Sequence, residues 1–234
     1  MRKACRAKSH KSQREKIILA LDVETFEKAK YFVNLLYPEI KTFKVGIQLF
    51  TACGKKIVDY INKKGGEVFL DLKFFDIPNT VAHAVREVVR MKVKMFTLHI
   101  LGDQEMLEAA LAAAKEESTK SKLKRPLLIG VTVLTSKEAL SSDVLTLARL
   151  GIECGLDGVV CSAREAKLLR ASIKKKFVIV TPGIRPAAVC ANDQKRTATV
   201  EEAIESGSDF LVIGRPILAA DNPLQAARDI VNSR

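Results

Sequence analysis

The sequence has none of the features of a disulfide-bonded, membrane-spanning or secreted protein. Its five cysteines are odd in number, scattered along 234 residues, and without the paired spacing of a metal site. This distribution argues against a disulfide framework and for a reducing compartment, so we expect a cytoplasmic protein. The longest apolar runs fall far short of the roughly 20 residues of a membrane span. Ile17–Leu21 is too short for a secretion signal and leads into Asp22. A transit peptide stays a weaker alternative, because the start of the chain contains arginine and serine.

Two further absences limit the fold. The turn after the first predicted strand, Asp22-Val23-Glu24-Thr25, contains no glycine. This weakens a dinucleotide-binding fold, which depends on a glycine-rich phosphate loop. No linker, low-complexity tract or change of composition interrupts residues 16–234. Length alone permits two domains, but this continuity favours a single large one.

Positive charge is abundant and unevenly distributed. The formal net charge is +12, and residues 1–16 supply half of it, with seven lysines and arginines against Glu15. A basic extension of this kind can bind nucleic acid or an anionic membrane. We favour the simpler interpretation, a flexible and solvated extension, and therefore expect neither a nucleic-acid partner nor a membrane partner. An anionic substrate would account for some of the basic residues in the body of the chain.

Short apolar strands alternate with helices from residue 17 onward, which indicates parallel βαβ units. Eight such units in this length predict the α/β class and a closed, single-domain (β/α)₈ TIM barrel. A doubly wound open sheet is the alternative. The third strand begins at Val68, and the others are predicted at Ile17–Asp22, Ile40–Gly46, Met95–His99, Leu127–Val133, Gly158–Cys161, Phe177–Thr181 and Phe210–Gly214. The helices are predicted at Thr25–Leu36, Leu49–Lys63, Thr80–Met91, Gln104–Lys115, Asp143–Cys154, Arg164–Ala171, Val200–Glu205 and Pro223–Val231.

The third strand ends in a cluster of three charges, Asp71, Lys73 and Asp76. Alternate residues of a strand share a face, so Asp71 and Lys73 are expected to project together, with Leu70 and Leu72 on the other side. Asp76 follows after the strand has ended. Because charges at the end of a buried strand are costly unless they are paired, the cluster is either a structural ion pair or a catalytic array.

Polar residues recur toward the C-terminal ends of several otherwise apolar strands. In a closed barrel these ends converge on one mouth, where enzymes of this fold place their sites. The coincidence favours the catalytic interpretation. His99 is the weakest member, because a single histidine at a strand end more often has a structural, hydrogen-bonded role. The residues are Asp22, Lys44, Asp71, Lys73, His99 and Thr132.

Two later segments have the composition of an anion site. The segment Thr181–Arg185 opens a long polar loop, and long loops in compact domains are often binding loops. Gly214 permits close backbone approach, and Arg215 offers a fork of donors at the start of a short helix. The alternative for Gly214 and Arg215 is a surface turn. The two segments follow the seventh and eighth strands, where barrel phosphate sites often lie, and this position favours a phosphate site.

The two acids beside Lys73 indicate the kind of chemistry. A lysine that forms an imine must be neutral, whereas flanking carboxylates favour the charged ammonium. The array therefore argues against an imine-forming aldolase.

These motifs together resemble the orotidine 5′-phosphate decarboxylase family, in its short bacterial, monofunctional form, over roughly residues 17–232. The third-strand motif followed by Ile77-Pro78-Asn79-Thr80 is the most specific element. The other matching segments are Ala20-Leu21-Asp22, Lys44-Val45-Gly46, Val131-Thr132, Thr181-Pro182-Gly183-Ile184-Arg185, Asp193-Gln194-Lys195-Arg196 and Gly214-Arg215-Pro216.

The resemblance implies a role for each matching residue in converting orotidine 5′-monophosphate (OMP) to UMP without a metal or organic cofactor. Lys73 protonates C6 of the pyrimidine, Asp71 lies beside the departing carboxylate, and Lys44 completes the array and contacts the ribose. Asp76 enters the site from the other subunit of a homodimer. The remaining implied substrate contacts are Asp22 and Thr80 at the ribose, Thr132 and Pro182 at the base, Gln194, Gly214 and Arg215 at the phosphate, and Ile77 and Arg185 elsewhere on the substrate.

One residue departs from the family pattern. Phe75 stands where many relatives have histidine, so a hydrogen-bonding role at that position is lost.

Two other functions stay open. A related magnesium-dependent sugar-phosphate decarboxylase or synthase with an Asp-x-Lys-x-x-Asp array is the nearest alternative enzyme. A nucleic-acid-binding protein that uses the basic extension is the alternative from another class, but it leaves the charges at the strand ends unexplained.

Overall fold

The computed structural model describes residues 14–133, 140–185 and 197–233. Eight parallel strands pair in sequence order, and the last closes on the first. They are β1 (Ile17–Ala20), β2 (Thr42–Gly46), β3 (Glu67–Phe74), β4 (Met95–His99), β5 (Leu127–Val131), β6 (Gly158–Val160), β7 (Val178–Thr181) and β8 (Phe210–Ile213). The closed barrel confirms the predicted fold and rules out the open sheet.

Helices cover the outside of the barrel. They are α1 (Phe26–Leu36), α2 (Ile47–Cys53), α3 (Lys55–Lys64), α4 (Pro78–Arg90), α5 (Asp103–Lys120), α6 (Ser141–Cys154), α7 (Ala163–Ser172), α8 (Val200–Glu205), α9 (Arg215–Leu218) and α10 (Pro223–Asn232), with a 3₁₀ turn at Ile100–Gly102. The single helix predicted at Leu49–Lys63 is in fact two, α2 and α3. Gly54 separates them with φ 55° and ψ −146°, a conformation outside the helical region.

The apolar residues form two cores, one on each side of the barrel wall. The larger lies between strands and helices and includes Phe43 and Phe96. The smaller fills the barrel interior with Ile18, Ala20, Phe69, Met95, Ile129, Val180 and Val212. Because side chains alternate along a strand, the residues two positions beyond Phe69 and Met95, which are Asp71 and Thr97, also point inward, above this plug.

The end of β3 departs from regular pairing. Leu70 is paired with Phe96, but the next pair joins Phe74 to Leu98, so β3 has a bulge there. Lys73 lies in the bulge with φ 52°, in the left-handed region. Asp71 and Lys73 project together as predicted, since their side chains meet at 2.9 Å. The bulge and the left-handed backbone between them were not expected.

The opposite end of the barrel is held by ion pairs. Arg125 donates two hydrogen bonds to Asp157, at 2.6 and 2.8 Å. Arg170 pairs with Asp209, which also accepts the N–H of Ile179 at 2.8 Å.

The described end of the basic extension contacts the body of the protein, because Arg14 pairs with Glu39 at 2.9 Å. Among the described helices, none is long and apolar enough to span a membrane.

Candidate active site

A cavity of about 490 Å³ opens at the C-terminal ends of the strands. Apolar side chains of the later strands form one wall, including Val131, Val160, Val180 and Val212. The cavity thus has one ionic wall and one apolar wall, which suits a flat, partly polar ligand. Eight of the predicted site residues line it: Asp22, Lys44, Asp71, Lys73, Pro182, Arg185, Gly214 and Arg215.

The ionic wall is a continuous row of alternating charges. The Lys44 Nζ lies 2.9 Å from Asp22 Oδ1 and 3.7 Å from Asp71 Oδ2. The Lys73 Nζ donates to both oxygens of Asp71 at 2.9 Å. Asp71 therefore lies between two ammonium groups. At an effective dielectric near 20, unit charges 4 Å apart attract by about 4 kcal/mol before desolvation.

Neighbouring strands bring these residues together. Ala20 is paired with Lys44, and Gly46 is paired with Asp71, so the ends of β1, β2 and β3 lie side by side. Gly46 leaves room for the row, because a Cβ there would lie 3.0 Å from Lys44 Nζ. The side chains of Lys44 and Asp71 are 11% and 14% exposed, whereas that of Asp22 is 60% exposed. The middle of the row is thus its most buried part, since Lys73 at the far end is 29% exposed.

Thr97 on β4 supports the ionic wall from below, and the sequence analysis missed it. This residue is fully buried. Its hydroxyl accepts the backbone N–H of Lys73 at 2.9 Å and lies 2.9 Å from Asp71 Oδ1, to which it donates. The available signal was a hydroxyl at an inward position of an otherwise apolar strand. Connecting it to Asp71 required the register of β3 and β4.

Gly214, predicted to form part of an anion site, lies beside the Asp22 end of the row. Gly214 approaches β1 closely, because a Cβ there would lie 3.4 Å from Ala20 Cβ and 3.8 Å from Asp22 Oδ2. Arg185 and Arg215 line the same cavity. A bridge between Ile184 and Ala198 closes the base of the loop after β7. The predicted residue Gln194 lies in this loop, outside the described residues.

Four predicted residues are not brought to this cavity within one chain. The carboxylate of Asp76 accepts its neighbour's N–H, from Ile77, at 2.7 Å. The side chains of Ile77 and Thr80 are exposed at the start of α4. Thr132 is buried and donates to the carbonyl of Val160 at 3.0 Å. The roles of Asp76, Ile77, Thr80 and Thr132 stay predictions.

His99 lies at the edge of the charged row. Its ring meets Phe75 edge-on, with centroids 5.7 Å apart. Burial, followed by the positive charge of Lys73, lowers the pKa of His99, although Asp71 partly opposes this. Within the described residues the buried Nδ1 has no hydrogen-bond partner. The lowered pKa favours the neutral imidazole, so His99 does not oppose the ammonium of Lys73 with a further positive charge.

A closed parallel barrel with a charged cavity at the carboxyl ends of its strands defines a (β/α)₈-barrel enzyme. Comparison with known proteins then gives the family. Residues 15–230 match the model of the orotidine 5′-phosphate decarboxylase / HUMPS family, and the chain belongs to that family.

Similar proteins cover almost the whole chain. Two curated relatives are named orotidine 5′-phosphate decarboxylase. The one from Geotalea daltonii is 48% identical over 93% of this chain and 95% of its own length. The one from Syntrophomonas wolfei is 47% identical over 93% of this chain and 96% of its own length. A crystal structure of orotidine 5′-phosphate decarboxylase from Lactobacillus acidophilus matches with a TM-score of 0.81 at 32% identity, covering 94% of this chain and all of that one.

Proposed function

We propose that this protein decarboxylates OMP to UMP, a step of pyrimidine biosynthesis, with Lys73 as the proton donor to C6. The observation that carries the proposal is the Lys73 ammonium, held by both oxygens of Asp71 in a cavity that Arg215 also lines. One cavity thus offers an acid for the reacting carbon and a guanidinium for the phosphate.

The electrostatics of the row suit this reaction. Loss of carbon dioxide leaves negative charge on a ring carbon that the ring cannot delocalise. A positioned ammonium stabilises that charge as it forms, which is the largest contribution in many enzymes, and it can then transfer its proton. Asp71 fixes the ammonium and lies next to the position of the departing carboxylate in this proposal. Repulsion between the two carboxylates contributes to the loss of carbon dioxide.

The rest of the cavity suits the rest of OMP. In this proposal Asp22 and Lys44 bind ribose hydroxyls, Pro182 and the apolar wall hold the base, and Arg215 pairs with the phosphate. Gly214 and Gln194 add contacts to the phosphate, and Arg185 adds a further substrate contact. Contacts to the phosphate, far from C6, supply binding energy that can hold the reacting carbon against Lys73.

We further propose a homodimer with active sites at the subunit interface. Large apolar side chains stand exposed after the C-terminal ends of β3 and β4, among them Phe75 (61%), Ile77 (66%) and Leu101 (59%). Asp76 lies within this group in the sequence, and its side chain does not line the cavity of its own chain. A second subunit packed on the apolar side chains would bury them and bring Asp76, Ile77 and Thr80 to the partner's cavity.

A spectrophotometric assay with purified protein tests the function. We expect loss of OMP absorbance and formation of UMP, at a rate unchanged by chelator, since the proposal includes no metal or cofactor. Activity on a sugar phosphate instead of OMP, lost with chelator and restored by magnesium, would indicate one of the related magnesium-dependent enzymes. No conversion of OMP at all would overturn the proposal.

Replacing Arg215 with alanine tests the phosphate end. We expect kcat/KM for OMP to fall by about 10- to 100-fold, the loss typical of charge-assisted hydrogen bonds to an anion. Activity on orotidine, which has no phosphate, should hardly change. Arg228→Ala, on α10 and paired with Glu39 at 3.3 Å, is the control for losing an arginine elsewhere. An undiminished preference for OMP over orotidine in Arg215→Ala would remove Arg215 from the site.

A further inference from the structure

One buried hydroxyl connects the backbone of Lys73 to the carboxylate that binds its side chain. Thr97 Oγ1 accepts the Lys73 N–H at 2.9 Å and donates to Asp71 Oδ1 at 2.9 Å. A hydroxyl has one donor and two acceptor sites, so it makes both bonds at once. Because Lys73 Nζ also donates to Asp71, the three residues form a closed ring of hydrogen bonds.

The bulge in β3 explains why this position needs such a bond. Between the pairs Leu70–Phe96 and Phe74–Leu98 the register shifts, so the Lys73 N–H meets the side chain of Thr97 rather than a strand carbonyl. Lys73 has φ 52°, a backbone conformation that residues other than glycine rarely adopt and that persists only where surrounding contacts hold it. The hydrogen bond from the Lys73 N–H to Thr97 is one contact that holds the backbone in this conformation.

The same hydroxyl fixes the direction of the Asp71 carboxylate. Lys73 and Lys44 both approach this carboxylate, the second at 3.7 Å. Without the bond from Thr97, the Asp71 side chain could turn between them and carry the Lys73 ammonium with it. A fully buried hydroxyl bonded to Oδ1 leaves one orientation, with both oxygens within 2.9 Å of Lys73 Nζ.

We propose that Thr97 is a positioning residue that sets the location of the Lys73 ammonium through the bulge and through Asp71. This inference rests on the proposed role of Lys73 as proton donor. Thr97 lies in the barrel wall below the row and is not among the residues that line the cavity. Its loss should therefore affect the chemical step and leave substrate binding nearly intact.

Thr97→Val tests this role, because valine has nearly the same shape but lacks the hydroxyl. We expect kcat for OMP to fall about 10- to 100-fold, the scale of a misplacement of about 1 Å at a reacting group, while KM stays within about threefold. Thr97→Ser keeps the hydroxyl and should retain kcat within about threefold. Thr42→Val is the matched control, since Thr42 is equally buried on β2 and donates to Glu67 at 3.1 Å near the other end of the strands.

Amide hydrogen exchange supplies a readout independent of the substrate. The peptide that contains Lys73 should exchange faster in Thr97→Val than in Thr97→Ser or Thr42→Val. Full kcat in folded Thr97→Val, or an equal loss in Thr97→Ser, would overturn the positioning role. If the wild-type protein fails to convert OMP, the proposed function is wrong. Hydrogen exchange at Lys73 does not depend on OMP, so unchanged exchange in Thr97→Val would separately overturn the link between Thr97 and the Lys73 backbone.

Discussion

Replacing Lys73 with alanine is expected to lower kcat for OMP by at least about 1,000-fold. The change removes both the ammonium that stabilises charge at C6 and the proton that replaces carbon dioxide, and each effect alone is typically worth 100-fold or more. The measurement is single-turnover and steady-state decarboxylation at saturating OMP. Binding of UMP should persist, because Arg215 and the apolar wall are unchanged.

Lys73→Arg separates the two effects. Arginine keeps a positive charge beside Asp71 but is a far weaker acid than lysine. If proton donation matters as proposed, this variant should also lose most of its activity. Lys55→Ala, an exposed lysine paired with Asp59 on α3, is the control for a lysine lost from the surface. Near-normal turnover in Lys73→Ala, with the fold intact by circular dichroism, would end the assignment.

Much of the fold and part of the candidate site could be predicted because they depend on local patterns. Alternating apolar strands and helices gave the barrel, and polar residues at strand ends gave Asp22, Lys44 and Asp71 at one mouth. The split at Gly54 was missed, because one glycine inside an amphipathic run does not reveal a positive φ. Apart from the phosphate site at Gly214 and Arg215, the site residues were placed in roles by resemblance, and all of these roles stay predictions.

The parts that could not be predicted depend on contacts between distant residues. The pairing of Asp71 with Lys73 was expected from strand alternation, but the bulge and the left-handed backbone at Lys73 that accompany it were not. Thr97 is 24 residues further along the chain, and only the β3–β4 register brings it to both residues. A pattern of residue types within one strand contains no information about a hydroxyl on the next.

Mixing two inactive variants is expected to restore about a quarter of wild-type activity, if Asp76 acts in the partner's site. The variants are Lys73→Ala and Asp76→Asn, where asparagine keeps an acceptor for the Ile77 N–H. In equal mixtures half of the dimers are mixed. Each mixed dimer has one site with both substitutions and one with neither, so about one site in four is complete. The measurement is activity after subunit exchange, with exchange verified by mass spectrometry of tagged chains.

The matched control is a mixture of Lys73→Ala with Asp71→Ala. Asp71 and Lys73 meet within one chain, at 2.9 Å, so no exchange of subunits can produce a complete site. This mixture should stay inactive, whereas the mixture with Asp76→Asn recovers. Recovery in neither mixture, despite verified exchange, would show that Asp76 serves its own chain or none. Because the exposed Phe75 and Ile77 flank Asp76, the complementing pair also tests whether this apolar surface is the one that a second subunit covers.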